Sequence, residues 1–126
     1  ARVAAVTSPP IANAITRFEK EHLGRGPLEA RAFIFEDLIV VRLRGVLTPA
    51  EVKLAQNPEG HTLIKRVRQQ LVEGSRALLE EIVEQTTGSR IVSLHTDISV
   101  KTGERLIAFT VSDNLDDRFG WNKPSG

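Results

Sequence analysis

Between residues 28 and 45 the chain offers apolar side chains to both faces of a β-hairpin. Glu36-Asp37 separates two β-rich runs and reads as the turn. A two-residue loop there pairs Ile34 with Ile39, Ala32 with Val41 and Ala30 with Leu43. The other face then carries Phe33, Phe35, Leu38 and Val40, with Arg31 beside Arg42. A sheet with one wet face alternates more cleanly than this. Part of the second face is therefore expected to be covered, by the protein's own helix or by another subunit.

The remaining segments alternate between helical and strand periods. Ser8 can cap a helix that opens on Pro9-Pro10, carries Ile11, Ile15 and Phe18 on one face, and stops at Gly24. Thr48-Pro49-Ala50-Glu51 is a capping box, with the short helix it opens ended by Asn57-Pro58. From His61 to about Thr87 the pattern is helical, with a stripe of Ile64, Val67, Leu71, Leu78 and Ile82 and Gly88 as its stop. Residues 90 to 112 read as a second hairpin turning at Lys101-Thr102-Gly103-Glu104. In it Val92, Leu94, Ile98 and Val100 alternate with Ser93, His95, Asp97 and Ser99, and Ile107, Phe109 and Val111 form the core face of the last strand. The order is α-β-β-α-α-β-β. It predicts an α+β domain: a four-stranded antiparallel sheet from two hairpins, with helices packed on one face. Residues 1–9 read as a flexible leader, 10–113 as a single domain, and 114–126 as a polar, loosely ordered tail in which Phe119 and Trp121 are docking residues.

A length of 126 residues suits one domain with its own core. The absence of Cys excludes a disulfide framework, a thiolate metal site and a Cys nucleophile. Lys and Arg number 17 against 16 Asp and Glu, so the formal charge of +1 argues against a surface built to bind nucleic acid. No apolar run approaches the roughly 20 residues of a membrane span. No signal peptide is visible, so the expected location is the cytoplasm.

Four groups of residues could carry chemistry. Gly24-Arg25-Gly26-Pro27 brings Arg25 into a tight backbone, although a helix C-cap with a Pro stop explains the same residues. Arg31, Arg42 and Arg44 gather on one strand face and could hold a bidentate anion, or could pair with Glu29 or Glu36. The long helical segment carries Lys65, Arg66 and Arg68 at its front and Glu80, Glu81 and Glu84 at its back, against the preference of the macrodipole. Antiparallel pairing of two copies would set basic ends beside acidic ends, and local pairs such as Arg76 with Glu80 would also serve. Finally, His95 and Asp97 share a strand face, as a general base with its orienting group or as two metal ligands would. No third ligand or marked nucleophile accompanies them, so a hydrogen-bonded polar face is the plainer reading.

Several of these residues lie in a run of motifs. Gly24-Arg25-Gly26-Pro27, Arg31-Ala32-Phe33-Ile34, Asp37 through Arg44 into Gly45-Val46-Leu47-Thr48-Pro49-Ala50-Glu51, His95-Thr96-Asp97-Ile98-Ser99 and Lys101-Thr102-Gly103-Glu104-Arg105 together resemble the MpsC-like family. The resemblance covers about residues 10 to 115. That family takes its name from a bacterial sodium-translocating, membrane-potential-generating system and was long a domain of unknown function. The resemblance implies a small bacterial accessory protein of cation translocation or inorganic-carbon uptake, without its own membrane span. It implies no catalytic residues.

The preferred reading is a non-catalytic cytoplasmic binding or regulatory module without cofactor or metal. It would be a homodimer that is peripheral to the inner membrane through a transporter partner. Arg25, Arg31, Arg42, Arg44, His95 and Asp97 are its ligand candidates. Phe33, Phe35, Leu38, Val40, Lys65, Arg66, Arg68, Glu80, Glu81 and Glu84 are its interface candidates. One alternative is a small enzyme or metal-dependent protein using His95 and Asp97. The other is an RNA-binding sheet using Phe33 and Phe35, which the low net charge and the element order oppose.

Overall fold

A computed structural model describes residues 6–117. Helix α1 (Pro9–His22) follows a two-residue strand β1 (Val6–Thr7). The first hairpin is β2 (Glu29–Phe35) and β3 (Leu38–Arg44). Three helices follow, α2 (Pro49–Leu54), α3 (Pro58–Gly74) and α4 (Arg76–Thr87). The second hairpin is β4 (Ile91–Ser99) and β5 (Glu104–Val111), and a 3-10 turn (Leu115–Asp117) closes the described chain. The α+β architecture and the order of its elements are those expected. The addition is β1, two residues of the predicted leader, which extends the antiparallel sheet to the order β1-β2-β3-β5-β4. Phe119 and Trp121 lie outside the described residues.

The first hairpin has the register that its apolar parity demands. Ile34 faces Ile39, Ala32 faces Val41, Ala30 faces Leu43 and Arg31 faces Arg42. Strand β3 then pairs with β5, setting Ile39 against Phe109 and Val41 against Ile107. This inner face packs on Ile11, Ile15 and Phe18 of α1, Ile64 and Val72 of α3, and Leu79 and Val83 of α4. Burying one such side chain contributes about 1.5–3 kcal/mol before the entropy of ordering is set against it.

Three local expectations are corrected. The segment 61–87 is two helices, because Gly74 and Ser75 interrupt it. Ser75 has φ −113 and ψ 11, outside the helical range, and ends α3 while starting α4. A Gly-Ser pair is a recurrent site of such breaks. The buried stripe of α3 is Gly60, Ile64, Arg68 and Val72, so Val67 and Leu71 lie beside it and remain 40% exposed. Hydropathy alone excludes Arg68 from a buried face, which moved the predicted stripe by one residue. Val92 points outward because a bulge between Ile91 and Ser93 shifts the parity of β4.

The short α2 buries none of its residues. Its capping box is complete: Thr48 Oγ1 accepts from the Glu51 N–H at 3.1 Å, and Glu51 Oε1 accepts from the Thr48 N–H at 2.9 Å. Asn57 Oδ1 then accepts from the Gly60 N–H at 2.7 Å and starts α3. Gly60 is required there, since a Cβ would lie 1.8 Å from the Leu54 carbonyl oxygen.

Candidate functional site

The outer face of the sheet follows from strand parity and register. One row runs Phe35, Leu38, Thr110 and Ser93, and the next runs Phe33, Val40, Ala108 and His95. A third runs Arg31, Arg42, Leu106 and Asp97, beyond which Glu29 faces Arg44. The apolar side chains of this face therefore gather mostly on β2 and β3 near their turn, the charged ones at the far end, and Ser93, Thr110 and His95 keep the β4 side polar. Phe33, Phe35, Leu38 and Val40 are half-buried, while Leu106 is 46% exposed. The side chains of α1, α3 and α4 that join the core do so on the opposite face.

At the charged end, three guanidiniums meet two carboxylates. Glu29 lies 3.8 Å from Arg31 and 3.6 Å from Arg44, and Glu104 Oε2 accepts from Arg42 Nε at 2.6 Å. All three arginines are substantially exposed, so each pair contributes a few tenths of a kcal/mol, up to about 1. Pairing of Arg31 with Glu29 and of Arg42 with Glu104 allows the two arginines to stand opposite each other. Arg25 lies elsewhere: its Nη2 donates to the Gly45 carbonyl at 3.5 Å, and it lines a cleft with Leu28 and α2.

His95 and Asp97 do share the outer face, where His95 faces Ala108. Asp97 is engaged elsewhere. Its Oδ1 accepts from the Ile98 N–H at 2.8 Å and lies 3.8 Å from Lys65 Nζ. This N–H belongs to β4, an edge strand, and two more of its edge groups are capped. Arg76 Nη2 donates to the Leu94 carbonyl at 2.6 Å, and Glu84 Oε2 accepts from the Ile91 N–H at 2.9 Å. Such caps protect an edge from pairing with other chains. Among the described residues, no group of three His, Asp or Glu side chains is placed to hold a metal ion.

The polarised helical segment is resolved into separate local contacts. Lys65 pairs with Asp97, Arg76 lies 3.7 Å from Glu80, and Gln85 donates to Glu81 at 3.3 Å. Arg66 is exposed on α3, whereas Arg68 is interior. The break at Ser75 places the basic front and the acidic back on different helices.

A buried charge cluster was missed in the sequence. Arg68 is 4% exposed; its Nε donates to Glu51 Oε2 at 3.0 Å, and its Nη2 donates to Glu51 Oε1 at 2.5 Å and to the Val46 carbonyl at 3.0 Å. Arg105 is 1% exposed; it donates to Thr96 Oγ1 at 3.0 Å and to the Arg68 carbonyl at 3.5 Å. Glu19 is equally buried, and its Oε2 has no hydrogen-bond partner among the described residues. Burial raises the Glu19 carboxyl above its usual range, opposed by the charges of Arg105 and Arg68. Burial acts in the same sense on Glu51, but the hydrogen bonds from Arg68 and Thr48 outweigh it and hold that carboxyl low. Burial lowers Arg105, an effect that Glu19 opposes and Arg68 reinforces. Spacing contained the signal: Ile11-Ile15-Glu19 and Ile64-Arg68-Val72 each advance by four, and Arg105 has the parity of Ile107.

Comparison with known proteins places the chain among relatives. Residues 8–113 match the model of a family described as Na+-translocating membrane potential-generating system (MpsC). The uncharacterized protein YbcI of Bacillus subtilis (strain 168) is 41% identical over 106 residues, covering 84% of this chain and 86% of the relative. The uncharacterized protein YrhF of the same organism is 26% identical over 105 residues, covering 82% and 86%. No solved structure matches the chain.

Proposed function

We infer that the chain, which belongs to the MpsC family, serves a sodium-translocating membrane system as a non-catalytic accessory module. It acts in the cytoplasm as a homodimer and meets the membrane machinery as a peripheral component. No helix among the described residues is long and apolar enough to cross a membrane. The observation that carries this reading is the apolar part of the outer sheet face. Phe33, Phe35, Leu38 and Val40 form a continuous surface across two strands, and sheets with such faces pack against each other. Arg31, Arg42 and Arg44 border it with Glu29 and Glu104. A rim of mixed charge sets the orientation of a partner and adds an anion-contacting edge.

Sedimentation equilibrium tests the pairing. The wild type should be a dimer at micromolar concentration. Val40→Asp, which places a charge in the centre of the face, should be a folded monomer by circular dichroism. A wild type that stays monomeric across a wide concentration range overturns the dimer. The accessory role is read in cells: loss of the gene should lower the sodium-dependent membrane potential. The wild type should restore it and Val40→Asp should not.

A further inference from the structure

We propose that the cleft between the loop Gly24–Leu28 and α2 docks on the surface of an anionic phospholipid bilayer. The cleft has a volume of about 460 Å3, and its apolar lining includes Leu28, Pro49 and Val52. Leu28 is 79% exposed and Val52 is 50% exposed. The charged residues of the lining are Arg25 and Lys53, both cationic. A third cation, Lys20, runs its stem beside Gly26, where a Cβ would touch it at 3.4 Å. Exposed aliphatic tips beside basic side chains are what an acidic headgroup layer over hydrocarbon accepts.

The surface is held ready rather than assembled on contact. The Leu28 N–H donates to the Arg44 carbonyl at 2.9 Å. The Leu28 side chain lies across Gly45, which has φ +68 and where a Cβ would come within 2.6 Å of Leu28 Cγ. On the other wall, α2 buries no residue and is kept in place by its capping box and by Arg68 on Glu51. A helix of six residues is not stable by itself in water. The fold therefore maintains a short helix that leaves Val52 to solvent.

Two other occupants fit less well. A second copy in a two-fold arrangement would set Arg25 and Lys53 against their own equivalents. An acidic peptide added as a strand needs main-chain partners, and those along the cleft are engaged. The Gly45 carbonyl accepts from Arg25, the Val46 N–H donates to the Gly103 carbonyl, and the Val46 carbonyl accepts from Arg68. A bilayer needs only cations for its phosphates and side chains for its apolar boundary. The docking uses a different surface from the sheet-face pairing, so either can fail alone. Two copies on one membrane would strengthen the contact.

The test is flotation of the full chain with vesicles of phosphatidylcholine alone and with vesicles that also carry about one-third phosphatidylglycerol. Binding should appear only with phosphatidylglycerol and weaken as salt rises. Joint Arg25→Gln and Lys53→Gln substitution should reduce partitioning by about twenty-fold, and Leu28→Ser by several-fold, with thermal stability unchanged. Arg90→Gln, the loss of one charge at the other end of the sheet, should have little effect. Equal binding to both vesicle types, or full binding by the double variant, overturns the proposal. Binding to soluble polyglutamate through Arg25 and Lys53 without vesicle binding also overturns it, and assigns the cleft to an acidic protein partner.

Discussion

Arg42 and Arg68 are each held by one glutamate at nearly the same distance, 2.6 Å to Glu104 and 2.5 Å to Glu51. Their surroundings differ. The side chains of Arg42 and Glu104 are 43% and 26% exposed, whereas those of Arg68 and Glu51 are 4% and 20% exposed. Water screens the first pair and competes for its hydrogen bonds, so forming it changes little. The second pair has lost most of that water, and each partner depends on the other. Distance alone does not measure the contribution of an ion pair; the two glutamates are similarly exposed, and the burial of Arg68 makes the difference. The second pair also ties α3 to the capping box of α2, so its loss is felt in the wall of the cleft that carries Val52 and Lys53.

The largest expected effect is on the buried side. Arg68→Ala should destabilise the fold by about 3 kcal/mol, lowering the thermal midpoint by about 10 °C. An effect below that of Arg42→Gln would break the contrast. Glu51→Gln should destabilise by about 2 kcal/mol at neutral pH. Because the folded Glu51 carboxyl sits below its ordinary value, its contribution is present above pH 4.5 and is lost as the pH falls through the folded value. The gap between variant and wild type should therefore close in acid, as followed by urea unfolding across a pH series.

Glu19 sharpens the comparison because its sign is opposite. Its folded carboxyl is raised, so the folded state holds the proton more tightly than the unfolded chain. The proton-linked stability is complete below pH 4.5 and declines as the pH rises through the raised folded value. Glu19→Gln should gain about 1 kcal/mol on the wild type at pH 8, and the gain should shrink toward pH 4. A loss that is greater at pH 8 would show instead that the Glu19 charge is needed against Arg105 and Arg68. The smallest effect belongs to Arg42→Gln: about 0.5 kcal/mol at low salt, fading in high salt when both are measured by denaturant titration.

Much of the fold was legible because local chemistry and burial pointed the same way. Thr48 and Glu51 cap a helix whatever surrounds them, and the hairpin register follows from placing Ile34 and Ile39 on one face. The outer-face residues Phe33, Phe35, Leu38 and Val40 were legible for the same reason. Other features depended on distant partners. Glu19, Arg68 and Arg105 occupy apolar faces by spacing, but charge assigns them to the surface unless their partners are known. Asp97 looked like a companion for His95, while its hydrogen bond and ion pair go to the Ile98 N–H and to Lys65 of α3. The bulge that turns Val92 outward leaves no composition signal in its neighbours.

The sequence by itself determined the element order, the parity of the first hairpin, and a chemistry without cysteine. Each of these depends on residues that are neighbours along the chain or across one short turn. Only the tertiary structure decided that β3 pairs with β5, that β1 joins the sheet, and that the helical segment divides at Ser75. It also decided which charges are interior. Their burial depends on hydrogen bonds between residues far apart in the chain, such as Arg68 with Val46 and Arg105 with the Arg68 carbonyl. Desolvating a guanidinium is unfavourable until those partners are in place, and no local pattern records that they will be.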